Sequence, residues 1–225
     1  KVVFVGITIV LDRRNGRNRI SMSQEEHLRK VIARVGNNYG IKDSKPVTKP
    51  FPSNFKAKVY LESKELPQVQ VTFHRSLVAA FNHAAVQTRV DLKLPVSVLS
   101  KCFNNPKIEH FEALLYLVRY VKHTFEYRIE FSTEGEVEDH KIDVCCDASH
   151  ADCLDTRVSR SGHVITLAKG PLIWQSKVEK IIVLPLNQLV RQDKKVFQMS
   201  PVFLLHHQVS RVSITCKSQL LMAIE

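Results

Sequence analysis

Asp147 is the residue of this chain best placed to do chemistry. It ends an apolar run (Ile142, Val144, Cys146) and precedes a polar loop holding Asp152, Asp155 and Arg157. Ser161-Gly162 then opens a second apolar run, Val164 to Leu167, and Gly170-Pro171 turns into a third that ends at Trp174. Apolar runs punctuated in this way predict an antiparallel meander with one carboxylate at the end of its first strand. Cys146, His150 and Cys153 lie close enough in sequence to raise a second chemistry, zinc ligation. A structural zinc needs four ligands, and the next candidate, Cys145, points to the opposite face of the same strand. The spacing therefore favours buried strand cysteines over a metal centre.

The elements that must position these residues can be read along the chain. Val2 to Leu11 predicts a strand, Arg13-Arg14-Asn15-Gly16-Arg17-Asn18 a hairpin turn, and Arg19 to Met22 the returning strand. Ser23-Gln24-Glu25-Glu26 has the form of a capping box, with Ser23 as N-cap, and the helix it opens should stop at Gly36. Lys45-Pro46, Lys49-Pro50 and Phe51-Pro52 make residues 41–72 an extended linker. Phe73 to Val86 and Asp91 to Phe103 predict two helices, and Asn105-Pro106 starts a third, with Asn as cap. In that third helix Ile108, Phe111, Leu114, Leu115, Val118 and Val121 keep helical period and form a core face. Tyr116, Arg119, Lys122 and His123 lie off the stripe, on a face that is solvated by default.

Charge adds a candidate partner. The chain carries +11, and residues 1–60 hold 13 Lys/Arg against 4 Asp/Glu. Residues 61–186 are nearly neutral, with 15 against 16. A basic N-terminal third suits sequence-independent contact with phosphates, and Arg13, Arg14, Arg17 and Arg19 make the hairpin its most basic point. The alternative is a solvated hairpin tip. Five cysteines without a CxxC pair point to reduced thiols and an intracellular setting. No apolar run approaches the roughly 20 residues that a membrane helix needs. KVVFVGITIV begins like a signal peptide, but its β-branched residues and the following Asp12-Arg13-Arg14 read better as a strand. The missing initiator Met leads us to expect a fragment.

The ordered motifs also resemble the Pol polyprotein of copia-type LTR retrotransposons. FVGITI is similar to that family's phenylalanine-leucine-glycine strand, ISMSQEEHL to the serine-glutamine helix start, and KPVTKP to a lysine-proline-valine-x-x-proline linker. Thr88-Arg89-Val90-Asp91 resembles a threonine-arginine-proline-aspartate motif with Val90 in place of the proline. Asp147-Ala148, the Ser159-to-Gly162 turn and Trp174-Gln175-Ser176-Lys177 resemble the start of its ribonuclease H domain. The matches run in order from residue 1 to about residue 184. They imply an α+β chain with a reverse-transcriptase hairpin and helix over 1–40 and a Pro-rich linker over 41–72. A helical thumb or connection region would follow over 73–135, then a truncated ribonuclease H-like mixed sheet over 136–225.

The resemblance implies a chemistry as well. Ribonuclease H cuts the RNA strand of an RNA–DNA hybrid with two Mg²⁺ ions held by carboxylates. Asp147 matches the first of four ligands. Counted without a gap from Trp174, the helix glutamate falls on Val190, with Asp193 one turn on. Val212 to Cys216 resembles the fourth strand, and the aspartate that ends it is here Lys217. Such a site would hold no metal, and the reverse-transcriptase palm pair is also absent, since no Asp-Asp dipeptide occurs. The expectation is a catalytically inactive Pol remnant whose residual role is nucleic-acid binding through Arg13, Arg14, Arg17, Arg19, Arg119 and Lys122. Two alternatives remain: an excerpt of a working reverse transcriptase–ribonuclease H, and a host-adopted interaction protein on the same scaffold. Its other partner would be the remainder of the polyprotein; a membrane is not expected.

Overall fold

A computed structural model describes residues 1–14, 17–36, 39–41, 43–52, 64–133, 141–149, 158–178 and 211–216, with the backbone alone for Arg14, Arg17, Thr133, Lys141, Ala148, Ser149 and 211–216. Strands, then helices, then strands again follow one another in an α+β arrangement that divides into two compact units. The first comprises Lys1–Ile9 and Met22–Ile129, the second Val10–Ser21 and Glu130–Glu225.

The first unit begins with β1 (Val2–Phe4), paired antiparallel to the start of β2 (Ile7–Arg14) in the register Phe4↔Ile7; from Val10 β2 belongs to the second unit, as does β3 up to Ser21. The single strand expected over Val2 to Leu11 is thus broken by a turn at Val5-Gly6. Both residues have positive φ, 49° and 75°, as a two-residue hairpin turn demands. A β-branched residue in that conformation hides the turn from composition. β3 (Arg17–Ser23) leads into α1 (Glu25–Val35). The N-cap is Gln24 and not Ser23, because Ser23 still belongs to the strand and no side chain caps the helix. Glu25 and Glu26 instead sit at the positive end of the helix and pair with Arg29 and Lys30 at 2.8 Å.

α2 (Gln68–Gln87) starts five residues before the expected Phe73, and a single turn at Val90–Leu92 leads into α3 (Lys93–Lys101). α4 (Ile108–Lys122) begins after Lys107, not at Pro106. There the Lys107 backbone N–H donates to His110 Nδ1 at 3.0 Å, which caps the helix without the asparagine. Phe111, Leu114, Val118 and Val121 of the expected stripe are buried, and Ala113, Leu117 and Tyr120 widen it. All but Phe111 pack with Leu28 and Val35 of α1, Leu77 and Phe81 of α2, and Val96 and Leu99 of α3, while Phe111 packs with Leu66 and Val71. Part of the proline-rich stretch is drawn into this core. Ile41 is fully buried, and its carbonyl accepts from Ser44 Oγ (2.8 Å) and from Lys122 Nζ (2.9 Å). Residues 53–63 of the expected linker lie outside the described residues.

The second unit contains β4 (Ile129–Thr133) from Glu130 onward, then β5 (Lys141–Ser149), β6 (Arg160–Leu167), β7 (Gly170–Val178) and β8 (Arg211–Cys216). The last four form a mixed sheet of order β7-β6-β5-β8. β5, β6 and β7 are the expected antiparallel meander, and β8 joins β5 in parallel. Ile142, Val144 and Cys146 alternate onto one buried face with Ile165. The β6–β7 turn is Ala168-Lys169, at φ 48° and 65°, and not Gly170-Pro171. Pro171, which lacks an N–H, is accommodated beside an irregularity in the register near Ile165 and Thr166.

Gly170 is required for a different reason than a turn. A Cβ there would stand 2.5 Å from the Glu130 carbonyl and 2.6 Å from the Phe131 ring. β4 is held at this place by the Ser132 N–H, which donates to the Ala168 carbonyl at 3.1 Å. Gly170→Ala should therefore displace β4 and lower stability by about 1–3 kcal/mol, the usual cost of overpacking. Thermal melting checks this, and an unchanged midpoint would mean that β4 gives way freely.

Candidate functional site

Asp147 lies on β5, two residues before the end of the strand, and is 7% exposed. It is paired across β6 with Gly162, and Gly162 in turn faces Ser176 of β7. The three form one row on the face opposite Ile142, Val144 and Cys146. Asp147 is engaged by a polar partner. Parallel pairing of β5 with β8 runs from Lys141↔Arg211 to Cys146↔Cys216. It ends one residue before Asp147 on one strand and one before Lys217 on the other. Lys217 and Val190 themselves lie outside the described residues.

A residue that the sequence alone did not single out joins this face. Arg160, at the start of β6, is 3% exposed, and its Nη1 donates to Ser176 Oγ at 3.1 Å. Its position between Ser159 and Ser161 in a turn-like sequence gave no reason to expect burial. Strand alternation from Asp147, once β6 is registered against β5, is the signal that finds it.

The candidate cations are dispersed. Arg13 is exposed on β2, and the side chains of Arg14 and Arg17 lie outside the described residues. Arg19 pairs with Glu130 at 2.8 Å, both within the second unit. Arg119 is half-buried on α4, and Lys122 is bound to the Ile41 carbonyl. His123 donates from Nε2 to the Ser44 carbonyl at 3.2 Å, so much of the expected off-stripe face of α4 holds the 41–44 segment.

The cysteines show no assembled centre. Cys146 is buried in the strand and Cys145 half-buried on the opposite face, while His150 and Cys153 lie outside the described residues. Cys102 Sγ stands 3.3 Å from His110 Nε2. Among the described residues no three His, Cys, Asp or Glu side chains are grouped to hold a metal. No helix among them is long and apolar enough to cross a membrane.

Three buried polar groups of the first unit also escaped notice. Gln24, 1% exposed, donates from Nε2 to His83 Nδ1 (3.0 Å) and accepts from Thr88 Oγ1 (2.9 Å). Arg89 binds Asp91 at 2.6 and 2.9 Å and the Thr124 carbonyl at 2.8 Å. Burial alone would pull its pKa down, but the hydrogen bonds and charge of Asp91 raise it, so the guanidinium stays ionised. Burial, then the neighbouring Asp91 carboxylate, push the Tyr120 hydroxyl well above its ordinary value. His74 is fully buried, and neither ring nitrogen has a hydrogen-bond partner.

Fold and site together define an α+β chain with a helical unit and a mixed sheet whose strand β5 carries the buried carboxylate of Asp147. Comparison with known proteins places it. Over 183 residues, 80% of this chain, it is 28% identical to the retrovirus-related Pol polyprotein from transposon TNT 1-94 of Nicotiana tabacum, of which it covers 13%. It is likewise 28% identical over 164 residues to the retrovirus-related Pol polyprotein from transposon RE1 of Arabidopsis thaliana, covering 73% of this chain and 10% of that one. A secreted RxLR effector protein 161 of Plasmopara viticola is 34% identical over 109 residues, 48% of this chain and 75% of the effector. No protein-family profile matches, and no solved structure matches. The chain belongs to the retrotransposon Pol polyproteins and spans only a small part of their length.

Proposed function

We propose that this chain is a catalytically silent segment of the reverse transcriptase–ribonuclease H region, with residual affinity for nucleic acid such as an RNA–DNA hybrid. The observation that carries the reading is the parallel register of β8 on β5. That pairing ends at Cys146↔Cys216, so Asp147 directly follows the last paired residue of β5. Two neighbouring parallel strands that end in aspartates would give a divalent metal two carboxylates side by side. By resemblance the second of these positions falls on Lys217 in this sequence. The sheet order, a three-stranded meander with a fourth strand parallel to its first, supports a ribonuclease H-like assignment for the second unit.

The residues present do not fit two Mg²⁺ ions. Hard dications at close spacing take several oxygen ligands. This face supplies Asp147 and a buried guanidinium, and the resemblance puts Val190 and Lys217 of the sequence at two of the other ligand positions. The purified chain should leave the RNA strand of a hybrid intact in Mg²⁺ or Mn²⁺ between about pH 6 and pH 9, where its carboxylates are ionised. Metal-dependent cleavage that Asp147→Asn abolishes would overturn the reading.

Binding is tested separately. Affinity for a hybrid should fall steeply with salt and show little sequence preference, as phosphate contact requires. Replacing Arg13, Arg14 and Arg17 with alanine should flatten the slope of log affinity against log salt by about one unit per lost phosphate contact. Arg19→Ala should matter less, because Glu130 already neutralises that side chain. An unchanged slope in the triple variant would remove the hairpin from the interface.

A further inference from the structure

We infer that the guanidinium of Arg160 is built into the sheet face beside Asp147 as a fixed cation, at the level a divalent metal would have to occupy. The inference rests on the ribonuclease H-like reading of the sheet and gives that face a content of its own. Its basis is the register. Arg160 faces Ser149 on β5 and Val178 on β7, and the next row on the same face is Asp147, Gly162 and Ser176. Asp147 and Ser176 are therefore the two diagonal neighbours of Arg160, at a separation that long side chains span.

The observed bond from Nη1 to Ser176 Oγ, 3.1 Å, shows which way the side chain leans. It runs along β6 toward the Gly162 row. Gly162 offers no side chain to obstruct it, and even a Cβ there would meet only the Gln175 carbonyl, at 3.5 Å. Nη1 thus stands beside Ser176 on β7, and Gly162 leaves no side chain between that place and Asp147 on β5. Asp147 and Arg160 are 7% and 3% exposed, so little water screens their fields from each other.

A buried cation in this place does two things. It sets a positive charge on the same face as the Asp147 side chain. It also repels any dication that approaches Asp147, because like charges a few ångströms apart in a low-dielectric site interact strongly. Arg160 is a positioning and excluding residue, and it touches no substrate.

Mn²⁺ is the probe, followed by electron paramagnetic resonance of the free ion as it is titrated into the full chain. The unaltered chain should bind Mn²⁺ no better than Asp147→Asn does. Arg160→Gln keeps an amide donor for Ser176 but removes the charge, and should tighten Mn²⁺ binding by about tenfold or more. The gain should vanish in the Arg160→Gln/Asp147→Asn double variant, and Arg160→Lys should behave as the unaltered chain. Arg160→Met, which keeps the length and the missing charge, repeats the test if the glutamine variant fails to fold. Equal Mn²⁺ affinity in the charged and uncharged variants would overturn this inference and leave the silent-site reading standing. Tight, Asp147-dependent binding by the unaltered chain together with hybrid cleavage would overturn both.

Discussion

Arg89→Met should unfold the helical unit or leave it marginal, with a loss of about 3–5 kcal/mol. Arg89 is 1% exposed and holds three structures at once. Its Nε and Nη2 grip the Asp91 carboxylate, its Nη1 donates to the Thr124 carbonyl, and its Nη2 also donates to Thr124 Oγ1 at 2.8 Å. Removing it takes the counter-charge from Asp91, which keeps the Tyr120 hydroxyl at 2.9 Å, and takes the Arg89 donors from Thr124, and a largely buried charge without its counter-charge costs far more than a lost contact. The total stability of a domain is about 5–15 kcal/mol, so the effect is of the same order. The design of the test follows from that reasoning. Arg89→Met with Asp91→Leu removes both charges and should be milder than Arg89→Met alone, because a matched apolar replacement leaves little unpaired. Urea unfolding followed by circular dichroism measures both, and a single variant that melts with the parent would show that water reaches Asp91.

The same residues show what the sequence did and did not reveal. Apolar periodicity located the core of α4 and the meander β5–β6–β7, because burial on one face forces spacings of three to four or of two. The motifs Ser23-Gln24 and Thr88-Arg89-Val90-Asp91 were legible only as marks of resemblance. Their meaning is a contact 64 residues apart, Thr88 Oγ1 to Gln24 Oε1 at 2.9 Å, which no local pattern encodes. The capping box at Ser23 failed for a related reason: tertiary bonds claim Gln24 and set the helix start one residue later. Val90 in place of a proline does little harm, since it opens a helical turn where proline is tolerated but not required. The turns at Val5-Gly6 and Ala168-Lys169 were hidden because three of their four residues are ordinary side chains held at positive φ.

For the candidate site the sequence supplied Asp147, while Val190 and Lys217, expected at two partner positions, lie outside the described residues. It did not supply Arg160, because burial depends on which strand β6 faces. The family assignment rests on similarity to Pol polyproteins over most of the chain. In the second unit a fourth strand returns in parallel beside the strand that carries Asp147.

Acidification should destabilise the helical unit through His74, by about 2 kcal/mol at pH 5 and about 3 kcal/mol once the pH is near 4. His74 is enclosed between α2 and its neighbours, fully buried, with no partner for either ring nitrogen. Burial, followed by the nearby His110 and Arg75, lowers its pKa from 6.5 to about 4. An imidazole with a depressed pKa binds fewer protons folded than unfolded. Its contribution is therefore complete above pH 6.5 and is lost as the pH falls from there toward 4. His27 acts in the same direction, its pKa lowered first by burial. Carboxylates that titrate in this window add their own slope, so the test is a difference between two chains. His74→Leu places an apolar side chain where neither ring nitrogen has a partner, and should remove most of this pH dependence. Stability measured by urea unfolding at pH 7.5 and pH 5 should fall by about 2 kcal/mol less in the variant than in the parent. Parallel losses in the two chains would mean that His74 finds a proton acceptor when it is charged, and that α2 and α4 part locally to provide it.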